Sequence, residues 1–219
     1  MFIGHFGVGL AAKKVANKTS LGTLFFASQF IDLLWPLFLI FGIEQVKIDP
    51  GNTAFTPFDF VLYPYSHSLI AVLIWALIFG SIYFLIKKDL KTSVWLGVLV
   101  LSHWILDFIT HRPDLPLLIG SNSPMVGLGI WNSVIATILI EGGIFILGVY
   151  LFIKTTKARN KIGVYTFWSL IIFLILIYIL NLLGPPPKSV DAIGYVGLSQ
   201  WLIIAWGYWI GKNRILEDY

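Results

Sequence analysis

Six stretches of this 219-residue chain, near residues 22–43, 66–86, 93–111, 131–153, 165–183 and 195–211, are apolar almost without interruption. Each is close to the ~20 residues that carry a helix across the hydrocarbon of a bilayer. Inside lipid the backbone must satisfy its own polar groups, and one continuous run of this length does so as a helix. Charged residues make up only 12% of the chain. That is about half of the ~25% typical of soluble domains, which excludes a water-soluble globule. The expectation is an all-α integral membrane protein: a helical bundle of six transmembrane helices plus a short N-terminal membrane helix at residues 2–16, where Gly4, Gly7 and Gly9 fall. No internal repeat is visible, so residues 1–219 read as a single helical membrane domain. Within it, residues 1–115 form the candidate metal-site half and 131–211 the supporting helices.

The basic residues set the expected orientation. Lys13, Lys14, Lys18, Lys87, Lys88, Lys91, Lys154, Lys157, Arg159, Lys161, Lys212 and Arg214 fall in alternate loops, leaving Lys47, Arg112 and Lys188 on the other side. The positive-inside rule then makes loop 154–164 and the C-terminus cytoplasmic, in a multi-pass protein of the cell inner membrane. A basic excess of this kind belongs to cytoplasmic loops, so nucleic-acid binding is not expected despite a pI of 9.2. The lysines near the N-terminus follow the apolar stretch, whereas a secretory signal carries them before it, so the segment is expected to stay on the mature protein. Absence of cysteine excludes disulfides, thiolate ligands and a cysteine nucleophile. Outward loops carry the turn chemistry and many aromatic residues, and the segment 55–65 reads as an interfacial belt.

Ionisable side chains in a bilayer cost at least ~2.5–3.5 kcal/mol each on insertion scales, so each one needs a partner or a purpose. The apolar stretches hold Asp32, His67, His103, Asp107, His111 and Glu141, and the first short segment holds His5. All four histidines of the protein are in this set. His103, Asp107 and His111 recur at every fourth residue, and a step of four turns only about 40° round a helix, so a continuous helix would present them as one stripe. Imidazole and carboxylate are the usual donors for zinc where thiolates are missing, and manganese or iron would accept the same set. The alternative is a hydrogen-bonded polar seam between helices. His67, His111 and His5 fall toward the outer ends of their segments, with His103 and Asp107 one to two turns deeper, which places the site in the outer half of the membrane.

His5, Asp32, the Tyr65-Ser66-His67-Ser68-Leu69 stretch and the His103-x-x-x-Asp107 pair resemble the inner-membrane family of LexA-binding proteins described as metal-dependent hydrolases. The order of these residues is also similar to that of the zinc-dependent phospholipase C family. The resemblance covers roughly residues 1–115. It implies that His5, Asp32, His67, His103, Asp107 and His111 are metal ligands, with Asp107 bridging. The phospholipases use a further His and Glu downstream, whereas this chain has no histidine after His111 and only Glu141 as a late ligand. One or two ions are therefore expected rather than three.

Such a centre would activate water against an ester or phosphoester. Asp32 or Glu141, if left outside the coordination shell, could take the water's proton. Arg112 has the planar fork that suits a phosphate, or it forms a salt bridge with Asp114. Asn132 and Ser133 could add hydrogen bonds. A lipid or lipid-linked substrate would enter from the outer leaflet. Two rivals stand beside this reading. A proton- or ion-coupled transporter would spread polar groups through the full membrane thickness, yet the inner halves of the later stretches are nearly pure Ile, Leu, Phe and Val. A scaffold with a structural metal would close its site with protein ligands.

Overall fold

The computed structural model describes residues 1–120 and 122–217. Its helices are α1 (Ile3–Ala11), α2 (Leu21–Ser28), α3 (Phe30–Ile40), α4 (Pro64–His67), α5 (Leu69–Lys87), α6 (Leu90–Thr110), α7 (Val134–Thr155), α8 (Lys161–Leu183), α9 (Val190–Leu198) and α10 (Gln200–Lys212). The helical bundle expected from the sequence is present. Four helices, α5 to α8, are long and apolar enough to cross a membrane, as befits a membrane protein. Their outward faces carry Leu77, Leu85, Leu139, Ile146 and Leu180, all exposed, the pattern that lipid rather than water selects.

The remaining apolar stretches are broken. Residues 22–43 form α2 and α3, bent by 56° at Gln29, and make a fifth span only if the pair is counted as one. Residues 195–211 fall across α9 and α10, which part at Ser199. The first segment gives a nine-residue α1 followed by a 3-10 turn. At 1.5 Å per residue α1 is about 14 Å long, half a bilayer. Hydropathy alone cannot see these breaks, because the Ser28–Gln29 and Ser199–Gln200 pairs are short polar interruptions in largely apolar runs.

Helix starts follow ordinary capping chemistry. Ser20, Ser68, Asp89, Ser133, Asn160 and Ser189 each accept a backbone N–H from the first turn of the helix they precede. One apolar cluster gathers Phe6, Leu10, Phe25, Phe145, Phe167 and Ile204, and a second joins Leu24, Ile31, Val72, Leu96 and Val100. The helices α1 and α2 lie between them. Close approach of α1 to α7 depends on glycine: a Cβ on Gly7 would come 2.8 Å from the Ile144 carbonyl oxygen, and one on Gly148 would collide with the Gly7 backbone.

Three short antiparallel ribbons, read from the sequence only as loops, complete the fold. They pair β1 (Gln45–Ile48) with β2 (Phe58–Leu62), β3 (Leu115–Pro116) with β4 (Met125–Val126), and β5 (Thr156–Ala158) with β6 (Arg214–Leu216). The first ribbon packs Val46 and Phe60 with Tyr63, Trp35 and Leu115, beside the polar cluster described next.

Candidate metal centre

Four elements deliver five donor side chains to one place. α6 is capped by Asp89 and turns its buried face, with Leu96, Leu99, Val100, His103, Leu106 and Asp107, toward the interior. His5 comes from the first turn of α1, held inward by the glycine contact with α7. Asp32 lies in the first turn of α3, where the helix dipole favours a carboxylate. His67 is the last residue of α4, just before the Ser68 cap of α5.

The distances describe two linked triads, His5–His103–Asp107 and Asp32–His67–His103, whose ligand atoms lie within 4.8 Å of one another. His103 Nε2 is 3.2 Å from Asp107 Oδ2 and 3.4 Å from Asp32 Oδ1. His67 Nε2 is 3.6 Å from Asp32 Oδ1 and 3.8 Å from Asp107 Oδ2. His5 Nε2 is 3.1 Å from Asp107 Oδ1, which also accepts from the Met1 amine at 2.6 Å. Two donors bound at about 2.1 Å to one tetrahedral ion stand roughly 3.4 Å apart, so this spacing suits a shared cation.

The state of His103 makes the fit more specific. Its Nδ1 lies 2.9 Å from the Ser28 carbonyl oxygen, which can only accept, so that nitrogen carries the ring proton. Nε2 is buried and has no hydrogen-bond partner among the described residues, although two carboxylate oxygens are near it. A proton on Nε2 would point at neither oxygen. A lone pair facing two anions is stable when a cation sits among them, and a ligating histidine whose other nitrogen donates to a carbonyl is the usual arrangement. Buried His and Asp groups of this protein could thus hold a metal ion. The site is nearly sealed: the His5, His67, His103 and Asp107 side chains are 0–4% exposed, and Asp32 alone, at 22%, keeps contact with the outside.

The other sequence-selected residues lie around this cluster and in neither triad. α6 ends at Thr110, and His111 turns into extended backbone at ψ 145°, so the every-fourth stripe stops at Asp107. His111 Nδ1 instead meets Asp114 Oδ1 at 2.9 Å, and its ring lies against Phe60 and Trp131. Glu141 Oε2 accepts the Phe2 amide at 2.9 Å, while its Oε1 is buried without a hydrogen-bond partner among the described residues. Arg112 pairs with Asp59 and, at 3.0 Å, with Asp114, so its charge is matched by two carboxylates. Asn132 is exposed at the end of a 3-10 turn.

Sequence reasoning passed over Ser28 and Glu44. The backbone carbonyl of Ser28 carries no side-chain signal. Glu44 follows α3 as a lone acid, yet it is 2% exposed and binds the start of α4: Oε1 accepts the Tyr65 and Ser66 amides, each at 2.8 Å. Burial pushes its carboxyl above the usual range, and hydrogen bonds from Ser66 oppose that shift. No family model, no curated protein and no solved structure matches this chain.

Proposed function

We propose that this protein is a membrane-embedded, metal-dependent hydrolase that cleaves an ester or phosphoester of a lipid or lipid-linked substrate. The observation that carries the reading is His103 Nε2, buried between Asp32 and Asp107 without a hydrogen-bond partner among the described residues. His5, Asp32, His67, His103 and Asp107 would hold the ion or ions, with zinc the first candidate and manganese or iron the alternatives. A divalent ion there would bring the pKa of a bound water down toward ~7 and polarise a phosphoryl or carbonyl oxygen. Asp32 is the donor nearest the exterior, so where the ion is held by the other four it is the group placed to take a proton from entering water. Asp107, tied to His5 and to the Met1 amine, holds the two triads in register.

In this reading the bent pair α2–α3 and the pair α9–α10 complete six crossings, with α1 as the short N-terminal helix. Loop 154–164 and the C-terminus then face the cytoplasm, and the site opens on the outer side of the inner membrane. The likeness to LexA-binding membrane proteins described as metal-dependent hydrolases, and to the zinc-dependent phospholipases C, supports the choice of chemistry. A second reading has its own observation: four of the five donors are almost wholly buried, as in a structural metal site.

Elemental analysis of detergent-purified wild type against the double variant His103→Ala with Asp107→Ala, followed by hydrolysis assays on phospholipids and phosphoprenols with and without chelator, tests the proposal. Expected are a bound transition metal in the wild type only and chelator-sensitive turnover. Wild-type protein free of transition metal overturns the proposal. Bound metal without turnover favours the structural site, and ion flux in proteoliposomes that survives metal removal favours a transporter.

A further inference from the structure

The histidines of the cluster differ in how their outer nitrogens are held. His103 Nδ1 faces a backbone carbonyl, which has no choice of role. His67 Nδ1 faces a hydroxyl, Ser66 Oγ, at 2.7 Å, and a hydroxyl can either donate or accept. What decides its role is Glu44. Ser66 Oγ donates to Glu44 Oε2 at 2.6 Å, while Glu44 Oε1 is occupied by the amides of Tyr65 and Ser66. All three partners of this carboxylate donate to it. A hydroxyl has one proton, and a carboxylate is a stronger acceptor than an imidazole nitrogen, so the Ser66 proton goes to Glu44. Ser66 Oγ then turns a lone pair toward His67, which must answer with an N–H on Nδ1.

We propose that Glu44 acts through Ser66 as a tautomer lock on His67, keeping the ring proton on Nδ1 and leaving Nε2 as an open donor that faces Asp32 and Asp107. Glu44 is a positioning residue in this scheme, touching neither substrate nor metal. The lock also ties the two ends of the β1–β2 ribbon, because Glu44 precedes β1 and Ser66 follows β2. The inference rests on the metal reading for its consequence, though the tautomer itself can be measured without metal.

Glu44→Gln inverts the chain of hydrogen bonds with little change of shape. The amide oxygen keeps the two backbone donors, and the amide nitrogen donates to Ser66 Oγ. The Ser66 proton must then turn to His67 Nδ1, moving the ring proton to Nε2 and closing the donor. The experiment is 15N NMR of histidine-labelled full-length protein in micelles at pH 8, metal removed by chelator, with His67 assigned by its loss in His67→Asn. Zinc titration follows on the same samples. Expected are an Nδ1–H tautomer in the wild type, an Nε2–H tautomer in Glu44→Gln and a zinc affinity lower by about 10–100-fold, the usual effect of removing such an outer partner. A wild-type His67 protonated on Nε2 overturns the proposal, and this holds even if Glu44→Gln does not fold. An unchanged tautomer in a folded Glu44→Gln overturns it equally. A wild type that shows the Nδ1–H tautomer and the Glu44→Gln switch but takes up no zinc supports the lock and removes the hydrolase reading instead.

Discussion

The imidazoles of His5 and His103 lie face to face, their centroids 3.7 Å apart and their planes 5° from parallel. Two unit charges ~4 Å apart repel by about 4 kcal/mol even at an effective dielectric of ~20. The pair therefore holds one added proton at most. Neutral imidazole is also the form that binds metal, so the stack keeps at least one of the two rings in the ligating state. Residues 98 positions apart in the chain meet in this way because α1 is drawn in beside α6 by its glycine contact with α7.

Metal content should divide unequally among single variants. His103 belongs to both triads, whereas His5 and His67 belong to one each. The one lone pair on His103 Nε2 serves one ion, so His103→Ala is expected to bring bound metal to background, and His5→Ala and His67→Ala, each of which leaves the other triad whole, to retain part of the wild-type content. Inductively coupled plasma mass spectrometry on protein of matched folding reads this directly. Equal, complete loss in all three variants would mean that the ion needs both triads at once.

The approach of α1 to α7 offers a second handle. Any side chain at Gly148 meets the Gly7 backbone, so Gly148→Val must push α1 away and carry His5 with it. Overpacking of this kind costs about 1–3 kcal/mol. Metal content should fall toward what Asp32, His67 and His103 hold without His5. Denaturant unfolding together with metal analysis decides this, and a variant with wild-type stability would show that the contact is not tight.

Much of the architecture was legible in the sequence, for reasons that particular residues make plain. Lipid demands unbroken apolar runs, and α5 to α8 have them, so hydropathy located all four. His103 and Asp107 were found by helical spacing because α6 is regular where they sit. His111 follows the same spacing but lies one residue past the helix end, and a period of four does not announce where a helix stops. The break at Gln29 and the ribbon carrying Phe60 arise from tertiary packing, which has no period to detect. Glu44 and Ser66 are 22 positions apart, and their link through the start of α4 exists only in three dimensions.

Arg214 gives a control outside the site. Its guanidinium donates to Thr156 Oγ1 at 3.0 Å, to the Thr156 carbonyl at 2.8 Å and to the Gly163 carbonyl at 3.4 Å, and lies over the rings of Phe152 and Phe167. Lysine cannot reproduce that planar fork or its stacking. Arg214→Lys should therefore cost about 1–3 kcal/mol in denaturant unfolding with metal content unchanged. A fall in metal content would mean that the β5–β6 ribbon and the metal centre are mechanically coupled.

Asp32 separates catalysis from bracing. It is the only member of the triads with a partly exposed side chain, 22% against 4% or less for the others. If metal serves only the fold, Asp32→Asn should lower stability and do nothing else, because no reaction depends on the exposed edge. If water enters beside Asp32 and gives up its proton there, the same change removes the base. Turnover should then fall by about 10²–10⁴-fold, the usual contribution of a general base, while the His5–His103–Asp107 triad keeps its metal. The discriminating measurement is the rate of phosphoester cleavage per bound ion rather than per protein. A rate per ion equal to the wild type's would deny Asp32 a part in the chemistry and leave it as one more ligand.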